Sequence, residues 1–130
     1  MTGKRHVRPS AGFTLIELLV VMLIIGTLLS IAVPRYFKTL AHARETVLKH
    51  DLAILREAID KHYSDLGQYP ETLASLVDKK YVRAVPEDPF TKTSDTWTLI
   101  PSEDPDQPGV RDVHSGAAEN ASDGTSVASW

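Results

Sequence analysis

The 130-residue chain contains no cysteine, so no disulfide can staple it and no thiol can act as nucleophile or metal ligand. Histidine occurs five times, as His6, His42, His50, His62 and His114, but never as a pair four apart or within an HExxH arrangement that would aim two nitrogens at one zinc. These histidines read as surface or packing residues. A glycine-rich phosphate loop, a nucleophile elbow and an assignable pair of catalytic carboxylates are also missing, which leaves no grounds for an enzyme. Asn120-Ala121-Ser122 has the form of a glycosylation acceptor, but it is read as a polar loop.

Acidic charge is missing from the start of the chain, where residues 1–12 hold Lys4, Arg5 and Arg8, and basic charge is scarce at the end. From Ala84 to Trp130 there are nine acids, against Lys92 and Arg111 as the only bases. Such a tail repels phosphate, which argues against nucleic acid, and it can attract cations.

Between these ends runs FTLIELLVVMLIIGTLLSIAV, Phe13 to Val33, 21 residues whose only charge is Glu17. As a helix it would span about 32 Å, the thickness of a hydrocarbon core. The basic residues before it predict a cytoplasmic amino terminus and export of everything that follows. A secretory signal has a shorter apolar region and a small-residue cleavage site after it. Here the small residue, Gly12, stands before the apolar run, so any cut belongs upstream of it. Gly26 and Ser30, four apart, give this helix one face that permits close backbone approach. Pro34 removes a backbone donor and predicts a kink or local loosening.

Gly12-Phe13-Thr14-Leu15-Ile16-Glu17 followed by an apolar run resembles the prepilin signature of type IV pilins and type II secretion pseudopilins. The resemblance implies that a prepilin peptidase cuts after Gly12 and methylates the new amino terminus on Phe13, leaving a mature chain of 118 residues. It implies a role for Glu17 as well. A carboxylate in an apolar membrane helix is costly, of order 2.5–3.5 kcal/mol at a helix centre. In the family such a residue meets the terminal amine of a neighbouring subunit during assembly, turning two stranded charges into a neutral pair.

Beyond Pro34 the helical pattern continues to about Leu66, with Leu48, Leu52, Leu55, Ile59, His62 and Leu66 recurring on one face. Glu45 with Lys49, Arg56 with Asp60 and Glu57 with Lys61 form four-residue pairs on the other side, and Gly67 stops the helix. The head then opens with a short helix around Thr72 to Asp78, with Leu73, Leu76 and Val77 inward. Strands are expected over Thr96 to Ile100 and Val110 to His114, separated by a proline-rich loop, with Trp97 and Trp130 as core or contact residues. The run from Tyr69 to Phe90 (YPETLASLV, YV, VPEDPF) is similar to the region after the long helix in G-type major pseudopilins.

The expected fold is therefore α+β and pilin-like, a long amino-terminal helix packed on a small antiparallel-sheet head. Its parts are a leader (1–12), a membrane and assembly helix (13–34), an amphipathic helix (35–66) and a periplasmic head (67–130). The end of the chain also resembles pseudopilins, some of which bind calcium there. Asp112, Ser115, Glu119, Asn120 and Asp123 would then be the oxygen donors, and a solvated acidic loop is the alternative.

The function implied is that of a major pseudopilin-like subunit of a periplasmic filament in type II secretion. Its partners would be copies of itself, other pseudopilins, an inner-membrane assembly platform and the prepilin peptidase. Two other readings stay open: a type IV pilus subunit, and an uncleaved membrane-anchored periplasmic binding domain.

Overall fold

The computed structural model describes residues 2–5 and 12–130. His6 and Arg8, and with them most of the leader expected over residues 1–12, lie outside the described residues. The order of elements is helix α1 (Leu15–Leu66), helix α2 (Leu73–Asp78), strands β1 (Thr98–Pro101) and β2 (Val110–His114), and a closing 3-10 turn at Val127–Ser129. The chain falls into two compact units, Met1–Phe37 and Lys38–Trp130, so that the second contains the head together with the later turns of α1.

In the first unit the apolar residues of α1 are exposed along their length, and this helix is long and apolar enough to cross a membrane. The helix continues through Pro34 without a break in assignment, although Pro34 has no N–H to give to the Ser30 carbonyl. In the turns before it, the Thr27 hydroxyl donates to the Leu23 carbonyl at 2.8 Å and the Ser30 hydroxyl to the Thr27 carbonyl at 2.7 Å. Back-bonding of this kind tends to bend helices.

In the second unit the core forms where the period of 3.6 places Leu48, Leu52, Leu55, Ala58 and Ile59 on one face of α1. They pack with Leu73 and Leu76 of α2, Trp97, Val110 and Val113 of the hairpin, and Ala117, Ala121 and Val127 of the closing segment. Each fully buried leucine contributes about 1.5–3 kcal/mol relative to leaving it in water. Leu66, expected on this face, is instead exposed, because the chain leaves the helix one residue later. Gly67 takes φ +68 and donates its N–H to the Tyr63 carbonyl at 2.8 Å, the left-handed stop that glycine adopts at little steric cost. Val77 is only half-buried, while Leu73 and Leu76 are inward as the spacing requires.

The Thr72 hydroxyl caps α2 by accepting the Ser75 N–H at 3.2 Å. The two strands pair antiparallel, with Thr98 opposite His114, Leu99 opposite Val113 and Ile100 opposite Asp112, and the register slips before Pro101. That slip sits where a residue without an N–H could not continue the ladder. Gly116 lies against the chain before β1: a Cβ built on it would come within 1.8 Å of the Thr96 carbonyl oxygen.

Candidate assembly site

The first turn of α1 is built by two reciprocal bonds. The Thr14 N–H donates to Glu17 Oε2 at 3.1 Å, and the Glu17 N–H donates to Thr14 Oγ1 at 3.2 Å. This is a capping box: a hydroxyl at the N-cap and a carboxylate three residues on each satisfy a backbone donor that the helix leaves open. The helix accordingly starts at Leu15 and not at Phe13, where the apolar run begins, because the T-x-x-E spacing makes Thr14 its cap. Phe13 lies outside the helix and is 95% exposed, and a Cβ built on Gly12 before it would meet no atom within 4 Å beyond its chain neighbours. The five residues from Phe13 to Glu17 therefore hold an exposed aromatic ring and a carboxylate fixed in the first turn.

Two charged residues expected on the outer face of α1 are turned into the head. Glu45 is only 7% exposed; its carboxylate accepts the Ser122 N–H at 2.5 Å and the Ser122 hydroxyl at 2.9 Å, in place of a pairing with Lys49. Lys49 Nζ instead lies 4.7 Å from the Trp130 ring centroid. Arg56, expected to pair with Asp60, donates from Nε to Asp112 Oδ1 at 2.8 Å, and from Nη2 to the backbone oxygens of Val113 (3.0 Å) and Trp130 (2.6 Å). His114 Nδ1 bonds the same Trp130 oxygen. Only Glu57 and Lys61 make the expected helical pair, at 3.3 Å. Glu45, Lys49 and Arg56 thus tie residues 112–130 to α1.

These ties bear directly on the expected calcium donors. Partial burial pushes the Asp112 carboxyl up, but the Val113 N–H, the Arg56 guanidinium and the His114 ring together hold it below its ordinary value. A dication beside Asp112 would have to displace Arg56. Ser115 is buried and donates to Asp88 Oδ2 at 2.5 Å; Asp88 is fully buried and also accepts the Phe90 N–H at 2.9 Å. Asp123 is exposed, and hydrogen bonds from the Thr125 hydroxyl and N–H hold its carboxyl below the usual range. Glu119 is exposed, and exposed Asn120 forms a bridge with Ser126. Among the described residues, no three of His, Cys, Asp and Glu gather in a group that could hold a metal. Asp112 and Ser115 are thus engaged with Arg56 and Asp88, Asp123 with Thr125, and Glu119 and Asn120 lie at the surface.

No solved structure matches the fold. Residues 7–33 match the family pattern described as "Prokaryotic N-terminal methylation motif". The chain is 33% identical over 99 residues to the type II secretion system core protein G of Pseudomonas aeruginosa, covering 64% of this chain and 70% of that protein. It is 32% identical over 108 residues to the core protein G of Klebsiella pneumoniae, covering 71% and 76%. A third relative is the fimbrial protein EcpC of Eikenella corrodens, 37% identical over 79 residues, covering 57% of this chain and 52% of that one. With an apolar capped helix preceded by glycine, an antiparallel hairpin head, and relatives matched over more than two thirds of their length, the chain belongs to the pseudopilin family of type II secretion core protein G.

Proposed function

We propose that this protein is a structural subunit that polymerises, through the apolar part of α1, into a periplasmic filament serving type II secretion. The observation that carries the reading is the first unit. A helix of membrane length has every large apolar side chain exposed and one carboxylate, Glu17, fixed in its first turn. Such a surface is stable in lipid or against other apolar helices, and unstable in water. The precursor crosses the inner membrane once. Cutting after Gly12 would release the amine of Phe13, which the prepilin peptidase would methylate, and Glu17 of one copy would meet that amine on another. Growth from an inner-membrane platform, with other pseudopilins as partners and a separate ATPase as motor, would push cargo toward the outer membrane. The chain's own chemistry would then be packing and charge pairing rather than catalysis.

Intact mass and amino-terminal sequencing, in cells with and without the peptidase, test the reading. A methylated Phe13 terminus only when the peptidase is present supports it, and an uncut chain overturns it. Similarity to a fimbrial protein favours a second reading, a surface pilus subunit. Loss of secretion on deletion, with no surface fibres in the parent strain, would exclude that alternative. Calcium enters as a separate proposal, with Asp112, Ser115, Glu119, Asn120 and Asp123 as the donors, and binding would require Asp112 to exchange Arg56 for the ion. A melting temperature of the full chain in detergent that is the same with calcium and with chelator would remove it.

A further inference from the structure

The turn after α2 carries three exposed cations, Lys79, Lys80 and Arg83, with Asp78 as the only acid among residues 78–83. None of the three makes an ion pair among the described residues, and Lys79 reaches only His62 Nε2, at 3.4 Å. The turn is firmly held: the N–H groups of Lys79, Lys80 and Tyr81 bond the carbonyls of Ser75, Val77 and Leu76 at 3.0, 3.0 and 2.9 Å, and the Tyr81 hydroxyl bonds Asp65 at 2.9 Å. Lys80 sits at φ +62, a left-handed conformation that glycine would adopt without the steric cost a lysine incurs.

The loop between β1 and β2 has the opposite character. Glu103, Asp104 and Asp106 are exposed, and Arg111 answers Glu103 alone, at 3.5 Å, with Glu103 still 86% exposed. This loop too is braced, by Ser102 N–H to the Gly109 carbonyl at 2.8 Å and Gln107 N–H to the Asp104 carbonyl at 3.1 Å. Residues 78–83 sum to +2 and residues 102–111 to −2, and no ion pair joins the two segments within one copy among the described residues.

We propose that the basic turn at Lys79, Lys80 and Arg83 is a docking surface for the acidic 102–109 loop of a second copy of this chain. Charge complementarity selects the occupant: equal and opposite charges stand on two braced turns of one head. A contact between two different patches of identical subunits is heterologous, and it propagates into an open helical array whenever the rotation between copies does not close a ring. Such rim charges set register and rate of encounter more than raw affinity, and salt screens them. The inference rests on the filament reading above, and adds to it which parts of the heads meet.

The test uses the full chain in its secreting host, with sheared filaments counted and the fold of each variant checked by protease resistance. Reversing the turn (Lys79→Glu, Lys80→Glu, Arg83→Glu) or the loop (Glu103→Lys, Asp104→Lys, Asp106→Lys) should each lower filament yield at least about tenfold, because like charges are then opposed. Combining both reversals should restore it to within about threefold of the parent, the pairing being remade in mirror image. Should a reversal unfold the head, Lys80→Gly serves in its place. It relieves the left-handed strain, so the head should melt higher while assembly falls and its salt dependence weakens. Parent-like yield from the single reversals, or a combined variant no better than either alone, overturns the proposal while leaving the filament reading intact. A parent chain that forms no filament at all overturns both.

Discussion

Replacing Glu17 by glutamine separates two jobs that replacement by alanine would confuse. Glu17 Oε2 accepts the Thr14 N–H while Thr14 Oγ1 accepts the Glu17 N–H, so alanine would remove both a charge and half of a capping box. Glutamine keeps an acceptor oxygen at the same reach and is itself a capping-box residue, so the helix start survives and only the charge is lost. If the carboxylate neutralises the Phe13 amine of another copy, its loss strands a cation in an apolar setting, a penalty of about 3–5 kcal/mol per contact. At about 1.4 kcal/mol per decade, each subunit contact weakens by roughly two to four orders of magnitude. Thr14→Ala is the control: it removes the cap but leaves the charge, at a cost of about 1 kcal/mol. Sheared filament yield, with cleavage after Gly12 confirmed by mass, should collapse for Glu17→Gln and decline mildly for Thr14→Ala. Parent-like yield from Glu17→Gln would refute charge pairing. A decline for Thr14→Ala beside parent-like yield for Glu17→Gln would show that Glu17 acts only as a cap.

Gly116→Ala should prevent the head from folding stably, since its Cβ would meet the Thr96 carbonyl oxygen at 1.8 Å; a thermal melt within a few degrees of the parent would contradict the packing described. Leu55→Ala, at a fully buried position on α1, should cost about 2–5 kcal/mol in denaturant titration of the full chain in detergent. Asp112 has its carboxyl held below the ordinary value of 3.8, so its contribution is complete above that value and is lost as pH falls through the lowered one. Arg56→Met should therefore lower the melting temperature at neutral pH and flatten its fall in acid. Asp51 behaves oppositely. Burial, opposed by His50 and reinforced by Asp88, raises its carboxyl above 3.8, so the ionised form destabilises the head. Asp51→Asn should raise the melting temperature at neutral pH, with the gain fading as pH falls toward 3.8, and an unchanged melt at pH 7 would refute it.

Features that depend on local spacing were legible in the sequence. The apolar run, the buried face at Leu48, Leu52, Leu55, Ile59 and His62, the stop at Gly67 and the strand Val110–His114 follow from periodicity and turn chemistry, which neighbouring residues determine. The strand expected from Thr96 begins at Thr98, two residues later. What escaped was the partnership of charges across long separations. Glu45 and Arg56 each had a neighbour of opposite sign four residues on, worth a few tenths of a kcal/mol in an exposed helix. Both instead found partners 77 and 56 residues away, where partial burial strengthens the bond. Asp88 and Ser115 were equally hidden, since both lie in irregular segments where no period marks a residue as inward.

The ties between α1 and residues 112–130 also fix an order of events. The helix that supplies Glu45, Lys49 and Arg56 is synthesised and exported long before Ser122, Trp130 and the strand bearing Asp112 arrive. Until they do, one side of the Leu48 to Ile59 face has no Val113, Ala117, Ala121 or Val127 to cover it. The head therefore cannot close while its own carboxyl-terminal segment is still being threaded through the membrane. Folding becomes a checkpoint for completed export, and a chain interrupted before residue 112 would present an open apolar helix to periplasmic proteases instead of a finished subunit.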